Sequence, residues 1–467
     1  MLTKNQIITT TILNSGINGE GIAKVDGMTL FIPYALVGEK VVAKVILAKK
    51  NFAVARLIEV LTPAEERVRP ECRAFTRCGG CQLQHVKYYN QLKIKSANVR
   101  DAFRKIAKLD PPVQQCVKSD FIYNYRNKLQ LPVGERDGAL AIGFYEEYTH
   151  NIVPIDECPL HPEWARKLIG AFKKFMADSG IQAYDEKRRQ GTVRHLVARE
   201  LTGCIMVTLV INDDFLDCSS FAAELKNLFP SFGLYLNINK KDTNVITGDK
   251  YLYVCGERKL KDSYNGLRIE VGPGSFLQVN NSVKDKLYYK VLDQVRSEEQ
   301  PVCIDAYSGT GILSALMAKH ANKVYAIEIV EEAIEDAEHI RKINNLSGKL
   351  EIIHGDCSEE LPPLLERLKG ENAILVLDPP RKGCTKAIIK AILKNPPKKI
   401  IYISCNPATL ARDVGMIMGT LDPDSDAMTP DPLKINGLYE ITFVQPYDMF
   451  PQTKHVETVV LMSRVEK

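Results

Sequence analysis

The sequence lacks any long uninterrupted apolar run. No window of its 467 residues approaches the roughly 18 consecutive apolar residues that a transmembrane helix needs. The amino-terminal stretch MLTKNQIITTTILNSG also lacks the apolar core of a signal peptide. A strong charge bias is missing too, since the net charge of +5 permits a nucleic-acid partner without requiring one. We therefore expect a cytoplasmic protein with no membrane partner.

The carboxyl-terminal part lacks two glycine-rich nucleotide motifs, although it has the pattern in which they occur. From about residue 263, apolar strand-like runs alternate with helical stretches, which predicts a doubly wound α/β sheet of parallel strands. The turn DAYSGTGILS (305–314) has G-x-G spacing but not the third glycine of the dinucleotide fingerprint. No Walker-type lysine follows it. A phosphate cradle is therefore disfavoured at this turn.

Glycine or an acidic residue stands where four successive strands of the predicted sheet end. Gly309 lies in the first turn, and Glu328, Asp356 and Asp378 follow the next three strand-like runs. Because such sheets bind ligands beyond the carboxyl ends of their strands, we expect these residues to line one crevice. An acid after the second strand can bind ribose hydroxyls. The pattern favours a nucleoside cofactor without a pyrophosphate, with S-adenosylmethionine ahead of NAD.

One cysteine lies at a predicted strand-to-helix junction. In YISCNPATLARD (402–413), Cys405 follows the strand-like run KKIIYIS and precedes a helical stretch. It comes one strand after Asp378, so its thiol should face the same crevice. A position near a helix N-terminus predicts a lowered thiol pKa and a reactive thiolate. The alternative is a buried structural cysteine.

A thiolate beside a methyl donor suggests one reaction in particular. Uracil C5 is a poor nucleophile, but thiolate addition at C6 makes C5 enolate-like, so that C5 can accept a methyl group. A base must then remove the C5 proton. Glu457, in FPQTKHVETVVLMSR (450–464), is the candidate base, because an apolar setting would raise its pKa toward neutrality. The alternative is a solvated acid at a strand end.

The rest of the chain predicts two further units. Residues 1–62 read as short strands separated by glycines, which is typical of a small antiparallel barrel. Its Lys49 and Lys50 stand beside an aromatic residue and could bind nucleic acid or simply be solvated. Residues 86–109 predict a helix within a mixed α+β region. We therefore divide the chain at 1–62, 63–262 and 263–467.

Four of the 12 cysteines have a spacing that suggests a metal centre. Cys72, Cys78 and Cys81 form C-x5-C-x2-C, and Cys158 lies apart from them in DECPLH (156–161). A disulfide framework is not expected in the cytosol. Four thiolates can hold zinc or an iron–sulfur cluster, and three close ligands with one distant ligand are more typical of a cluster. Spacing alone leaves both open, together with four unligated thiols.

Five stretches of the chain follow one another in an order shared with a known family. They are GPGSFLQVN (272–280), DAYSGTG (305–311), LDPPRKG (377–383), YISCNPATLARD (402–413) and HVETVVLM (455–462). They resemble the RNA uracil-C5 methyltransferases, in particular the iron–sulfur ribosomal RNA branch. The resemblance extends upstream through the cysteines, YRNK (125–128) and an amino-terminal barrel similar to a TRAM domain.

This resemblance implies an α/β fold with three parts. They are a Rossmann-like S-adenosylmethionine-dependent methyltransferase domain, an amino-terminal TRAM/OB-like β-barrel, and a central α+β domain that carries an iron–sulfur cluster. Cys405 matches the nucleophile and Glu457 the base. The implied cofactor contacts are Gln278, Tyr307, Gly309, Glu328, Asp356 and Asp378. The implied ligands of a [4Fe–4S] cluster are Cys72, Cys78, Cys81 and Cys158.

The implied enzyme is a 23S ribosomal RNA (uracil-C5)-methyltransferase that acts as a monomer without an obligate protein partner. Its target uridine must be flipped out of the stack. The predicted RNA contacts are Lys49, Lys50, Phe75, Arg77, His85, Tyr125, Arg126 and Lys128.

Three other functions compete with this one. Transfer RNA is the second candidate substrate, and the barrel and cysteine cluster favour ribosomal RNA because the transfer-RNA branch typically lacks both. A non-catalytic RNA-binding iron–sulfur protein is opposed by the presence of both Cys405 and Glu457. An amino-methylating enzyme would need no thiol, and it would carry an aromatic residue after D-P-P, where Arg381 stands.

Overall fold

The computed structural model describes residues 2–16, 18–425 and 436–465. Its strands are β1 Ile7–Thr11, β2 Asn14–Ser15, β3 Gly21–Val25, β4 Met28–Ile32, β5 Lys40–Ala48, β6 Phe52–Thr62, β7 Lys128–Arg136, β8 Ala139–Tyr145, β9 Ile152–Pro154, β10 Val193–Leu201, β11 Cys204–Ile211, β12 Ser231–Ile238, β13 Lys250–Gly256, β14 Leu260–Tyr264, β15 Leu267–Val271, β16 Val302–Ala306, β17 Lys323–Glu328, β18 Leu350–His354, β19 Ala373–Leu377, β20 Lys399–Ser404, β21 Tyr439–Tyr447 and β22 Glu457–Arg464.

The helices of the described ranges are α1 Tyr88–Ala102, α2 Glu163–Ser179, α3 Ser219–Leu228, α4 Asn281–Arg296, α5 Ile312–Ala318, α6 Glu331–Ile343, α7 Cys357–Arg367, α8 Lys386–Lys394 and α9 Pro407–Met418. A π-helical turn, Phe103–Ala107, continues α1. None of these helices combines the length and the apolar character that a membrane crossing requires.

The amino-terminal strands form a small barrel. Their order is β1-β5-β6-β4-β3-β2, and every pair is antiparallel except β4 with β6. β1 and β2 follow one another on one extended stretch that pairs with β5 at one end and with β3 at the other, so the sheet closes on itself. Alternate small and branched residues, such as Ala23, Leu30 and Val41, fill the interior. The predicted barrel is therefore present, with one parallel pair.

The central region is built on a second sheet of mixed direction. Its order is β13-β12-β11-β10-β7-β8-β9, and only β11 and β12 are parallel. The apolar faces of α2 and α3 cover it, and Phe172 and Phe221 meet the sheet residues Leu196 and Leu209 in one core. The short hairpin β14–β15 leads from this sheet toward the third.

The carboxyl-terminal sheet has the predicted doubly wound arrangement. Its order is β18-β17-β16-β19-β20-β22-β21; the first five strands are parallel, and β22 runs antiparallel to both neighbours. One core lies under α7, α8 and α9, and the other under α4, α5 and α6. The carboxyl ends of the parallel strands and the amino end of β22 therefore meet at the same edge of the sheet.

Helix α1 joins the catalytic sheet to the segment before it. The predicted helix 86–109 is divided into α1 and the π-helical turn. Leu92, Val99 and Phe103 pack in the same core as Leu410 and Val414 of α9. The segment that follows the cysteine-rich loop is thus fixed directly on the helix that follows Cys405.

Candidate active site

Cys405 lies between the carboxyl end of β20 and the first turn of α9. Asn406 caps that helix, since its Oδ1 accepts from the Ala408 N–H at 3.0 Å, and Pro407 occupies the first helical position. The Asn406 Nδ2 also donates to the Arg381 carbonyl at 3.1 Å, and the Thr409 hydroxyl donates to the same carbonyl at 3.2 Å. The loop after β19 is therefore tied to the loop that carries the thiol.

Strand register brings Glu457 beside Cys405. Ser404 is paired with Thr458 in the antiparallel ladder of β20 and β22, so Cys405 and Glu457 occupy the next pair of positions. Glu457 is buried, and Cys405 is half-buried. Residues opposite one another in such a ladder have neighbouring side chains. The predicted nucleophile and the predicted base are thus adjacent.

The pKa of the Cys405 thiol corrects one expectation. Burial raises it above its ordinary value, and the neighbouring Glu457 carboxylate raises it further, while the charge and hydrogen bond of Arg381 lower it. The helix N-terminus had predicted a lowered pKa, but desolvation outweighs it here. The thiol is therefore protonated at neutral pH in this state, and Arg381 is the side chain that favours its ionisation.

The charges of Glu457, which is buried, and Asp378, which is half-buried, act on the thiol, and buried Asp305 lies beside Asp378. Burial, followed by repulsion from Asp305, raises the pKa of Asp378 to about 7, and burial raises the pKa of Asp305 to about 7 as well. Burial and the charge of Asp378 raise the pKa of Glu457 well above its ordinary value, with Arg381 opposing them. A carboxyl whose pKa is raised is a stronger proton acceptor once ionised, as a general base requires.

A cavity opens in front of this edge. It brings together Gln278, Tyr307, Gly309 and Asp378, four of the six predicted cofactor contacts. The turn after β16 is tightly wound, since Tyr307 has φ +68° and Gly309 φ +55°. A non-glycine residue in that region stores strain that surrounding contacts must hold, which is common at ligand sites.

The other two predicted contacts stay at neighbouring strand ends. Glu328 accepts the N–H groups of Gly309, Ile329 and Val330, each at 2.8 Å, and so shapes the glycine turn. Asp356 is exposed and caps α7 by accepting the Ser358 N–H at 2.7 Å, which lowers its pKa. Neither lines the cavity, so their contact with a cofactor stays a prediction.

Sequence reasoning missed further lining residues. Asp305 begins the stretch DAYSGTG at the end of the first strand, so its strand-end position could have marked it, whereas Phe276 in GPGSFLQVN follows no strand of the doubly wound sheet. The additional residues that line the cavity are Leu201, Asp262, Ile269, Phe276, Leu277, Asn281, Lys284, Tyr288, Asp305, Ser308, Thr310, Ile312 and Leu313.

The loop that carries Gln278 is held by the central sheet. Asn127 donates its Nδ2 to the Gln278 carbonyl at 3.1 Å and its backbone N–H to the Val279 carbonyl at 3.0 Å. Arg199 donates to the Leu277 carbonyl at 3.1 Å. Residues of the YRNK stretch thus position a cavity wall.

The segment before Glu457 is a loop that is largely buried. Gln91 of α1 donates to the Gln452 side-chain oxygen at 2.9 Å and accepts the Gln452 N–H at 3.1 Å. Lys95 forms a fully buried ion pair with Asp448. The N–H groups of Gln82 and Leu83 donate to the Gln452 carbonyl at 3.1 and 2.9 Å. Helix α1 and the end of the cysteine-rich loop therefore hold the segment that presents Glu457.

The four spaced cysteines meet at one place. Cys81 and Cys158 pack in one small cluster with Tyr125 and Leu160. Burial raises the pKa of Cys158 to about 12, and the charges of Cys72 and Cys78 add to that rise; burial and the other three cysteines likewise raise the pKa of Cys81. The structure therefore brings all four thiols within electrostatic reach of one another, unbridged by disulfides.

This placement bears on which metal centre would fit. Within the described ranges, no three His, Cys, Asp or Glu side chains are close enough together to hold one metal ion. A zinc ion bound at about 2.3 Å needs sulfurs about 3.8 Å apart. A [4Fe–4S] cluster takes one thiolate on each of four irons, so its ligands lie farther apart. Four thiols are the donor set that such a cluster takes, and the cluster stays a prediction.

The predicted RNA contacts are divided between surface and interior. Lys49, Lys50 and Arg77 are exposed. His85 is 1% exposed and packs between Tyr34 and Phe75, and Tyr125 is 7% exposed with its hydroxyl donating to the Pro451 carbonyl at 3.1 Å. In this conformation neither ring is exposed for stacking on a base, and their contact with RNA stays a prediction. Phe75, Arg126 and Lys128 are half-buried.

Comparison with family models gives two matches. Residues 87–465 match the model described as tRNA (Uracil-5-)-methyltransferase, and residues 2–58 match the TRAM domain. The first covers most of the chain, and it begins at the start of α1. The second coincides with the barrel.

Relatives of similar length are known from several bacteria. An uncharacterized RNA methyltransferase of Clostridium acetobutylicum is 39% identical over 459 residues, which cover 96% of this chain and 95% of the relative. One from Bacillus cereus is 39% identical over 472 residues, which cover 99% and 98%.

A solved structure supports the same assignment. The chain resembles the Pyrococcus abyssi tRNA (uracil-54, C5)-methyltransferase in complex with S-adenosyl-L-homocysteine, with a TM-score of 0.76 and 26% identity, covering 97% of this chain and 99% of that one. The chain therefore belongs to the tRNA (Uracil-5-)-methyltransferase family and carries a TRAM domain at its amino end.

Proposed function

We propose that the protein methylates uracil C5 in 23S ribosomal RNA, with S-adenosylmethionine as methyl donor. The observation that carries the reaction is the adjacency of Cys405 and Glu457, given by the Ser404–Thr458 register, with Asp378 of the cavity wall near both. Family membership supports the reaction class. A thiol and a buried acid side by side are what addition and elimination at a pyrimidine ring require.

The residues divide the reaction between them. The Cys405 thiol gives its proton to solvent, and the thiolate adds to C6, which makes C5 a nucleophile. C5 attacks the sulfonium methyl group, the bond between that methyl and sulfur breaks, and S-adenosylhomocysteine is released. Glu457 then accepts the C5 proton, the C5–C6 double bond re-forms and the C6–S bond breaks, which returns the thiolate. Arg381, which favours the anions of both Cys405 and Glu457, stabilises the charge as it moves between them.

The methyl donor would bind in the cavity. Gln278, Tyr307, Gly309 and Asp378 line it, and the S-adenosyl-L-homocysteine of the Pyrococcus abyssi protein supports a ligand of this class. A sulfonium cation placed beside Asp378 favours its carboxylate form. The protonated acids of the free enzyme would therefore ionise as the donor binds.

We propose that Cys72, Cys78, Cys81 and Cys158 hold a [4Fe–4S] cluster. A bound cluster would replace four mutually repelling thiolates by covalent Fe–S bonds and fix the loop that contacts Gln452. The test is iron and sulfide analysis of anaerobically purified protein. We expect about four irons per chain in the wild type and a loss of most of the iron in Cys158→Ser. A full iron content in that variant would rule out this ligand set.

Fewer observations bear on which RNA is the substrate than on the reaction itself. We expected the barrel to mark the ribosomal branch, but an alignment over 97% of this chain with a transfer-RNA enzyme must include most of the barrel. The barrel therefore does not separate the two substrates, and the four cysteines are what still favour 23S RNA. Transfer RNA is the second candidate, because of that neighbour.

Nucleoside mass spectrometry decides between them. 5-Methyluridine is measured in 23S and transfer RNA from cells with the gene, without it, and with Cys405→Ala in its place. Loss from 23S RNA alone, unrestored by the variant, supports the proposal. Loss from transfer RNA alone assigns the second substrate. Unchanged 5-methyluridine in both RNAs would refute the methyltransferase function.

A further inference from the structure

Three cations lie together on, or just before, strands next to the cavity. Lys128 of β7 stands directly opposite Arg199 of β10 in the antiparallel register. Arg126 lies just before β7, two residues from Lys128, and its Nε donates to the Lys128 carbonyl at 3.2 Å. Side chains two residues apart in an extended chain share a face. Like charges directly opposite one another destabilise a sheet, so a pair of opposed cations is unfavourable unless an anion lies beside it.

No acid in the described part of the chain neutralises these cations. Arg199 is 7% exposed; its Nη1 donates to Asn127 and Leu277, while its Nη2 has no partner among the described residues. Burial, Arg199 and Arg126 lower the pKa of Lys128 to about 8, and burial and Arg126 lower that of Arg199 to about 10. A buried charge without a partner is costly, and an anionic ligand would remove that cost.

The group adjoins the cavity. Arg199 donates to the carbonyl of Leu277, which lines the cavity, and Leu201, two residues farther along β10, lines it as well. Arg126 is near enough to His455 to lower the pKa of that imidazole. His455 lies two residues before Glu457. The three cations therefore stand between the Gln278 loop and the segment that ends in Glu457.

We propose that Arg126, Lys128 and Arg199 bind a phosphate of the RNA substrate beside the target uridine. The inference rests on the proposed function, because it takes RNA as the substrate. A guanidinium with a free edge is suited to bidentate binding of phosphate oxygens. A base that leaves its stack must have its backbone held. The carboxylate of the methyl donor is the other small anion that could reach this site.

The main variant is Lys128→Met, which keeps the aliphatic stem and removes the charge. Binding of a short single-stranded oligouridylate is measured without turnover, together with the affinity for S-adenosylhomocysteine and the melting temperature. We expect RNA affinity to fall about tenfold and the salt slope to fall by about 0.7, with unchanged S-adenosylhomocysteine affinity. The melting temperature should stay equal or rise, because repulsion from Arg199 is removed.

The control is Arg194→Met, which lies on β10, the strand that also carries Arg199. Arg194 is also buried, but it is satisfied: it donates to the carbonyls of Asn239 and Lys241 at 2.7 and 2.9 Å and stacks on Tyr184. This variant should lose stability and keep its RNA affinity. Arg199→Met should lower RNA affinity as Lys128→Met does. If one of these two variants folds poorly, the other still tests the site.

The outcomes are separable. Weaker S-adenosylhomocysteine binding with unchanged RNA binding would overturn the assignment to RNA in favour of the donor carboxylate. No change in either affinity would overturn the site altogether. A neutral methylphosphonate at one position next to the uridine should weaken wild-type binding more than it weakens binding by Lys128→Met, which keeps only Arg126 and Arg199. Since none of these measurements needs turnover, the site can stand if methylation fails, and methylation can stand without the site.

Discussion

Two groups of charged residues, each buried or half-buried, lie near the same cavity, and they behave in opposite ways. Asp305, Asp378 and Glu457 are acids whose pKa values burial has raised, so they can keep a proton and remain neutral. Arg126 and Arg199 cannot lose theirs near neutral pH and stay charged. The acids thus suit proton transfer, whereas the cations suit an anion from outside. Charged groups removed from water therefore occur both where protons are transferred and where a ligand is bound. Here the acids belong to the first role and the cations to the second.

The largest expected effect comes from the thiol that the acids surround. Cys405→Ala removes the only group placed to add to C6 within the described residues, so we expect 5-methyluridine formation to fall by at least about 10⁴-fold. The measurement is transfer of a labelled methyl group to RNA. Cys218→Ala is the control for loss of a thiol, because Cys218 lies in the central core, away from the site. Substantial methylation by Cys405→Ala would remove the covalent mechanism.

The next effect tests the acids as proton carriers. Glu457→Gln should slow turnover by about 10²–10⁴-fold and let a methylated Cys405–RNA adduct accumulate, because the C5 proton stays in place. The adduct is seen as a denaturation-stable protein–RNA complex. A slow variant without adduct would show that Glu457 acts before methyl transfer.

Decay of the adduct should also depend on pH. Glu457 must be ionised to accept the proton, and its pKa is raised, so decay should speed up as pH rises through that value. Asp378→Asn removes a charge that raises the pKa of Glu457, so the rise should move to lower pH. An unmoved profile at saturating methyl donor would show that the two carboxyls are not coupled.

Strand-end residues are the part of this site that the sequence predicts well. Gly309, Asp378 and Cys405 follow parallel strands, and sheet topology alone places such positions at one edge. The pKa of Cys405 was predicted with the wrong sign because burial depends on the whole fold. The repulsion between Lys128 and Arg199 was also hidden, since it needs a register between strands more than 60 residues apart in the chain.

The fold, like the site, has features that local sequence predicts and features that it does not. The periodicity of apolar residues and the positions of turn residues predicted the barrel and the doubly wound sheet. The burial of Tyr125 and His85 was missed because aromatic residues beside cations look alike whether they face RNA or a neighbouring loop. The hydrogen bonds between Gln91 and Gln452 join residues 361 positions apart, so no local sequence pattern predicts them.

A smaller effect should follow from loosening the segment that presents Glu457. Gln91→Met keeps the side-chain volume but removes hydrogen bonds to Leu83, Val86 and Gln452. Adduct formation should change little, and adduct decay should slow about tenfold, equivalent to about 1.4 kcal/mol. Asn237→Leu is the control, because Asn237 is an equally buried amide that bridges to Gly248 in the central sheet. Equal slowing of both steps in Gln91→Met would reveal a general loss of structure.

The smallest expected effect is on RNA affinity when exposed lysines of the barrel are removed, and it is to be compared with the effect of Lys128→Met. Lys49 and Lys50 lie on the barrel surface, where salt screens their charge, so Lys49→Ala with Lys50→Ala should weaken RNA binding only about threefold while reducing the salt slope by about 1.4. The control is Lys167→Ala with Lys174→Ala, two exposed lysines on α2. Because the barrel lysines are solvated before RNA arrives, their removal should leave the melting temperature unchanged, unlike Lys128→Met. An effect as large as that of Lys128→Met would show that surface charge, not burial, sets the affinity.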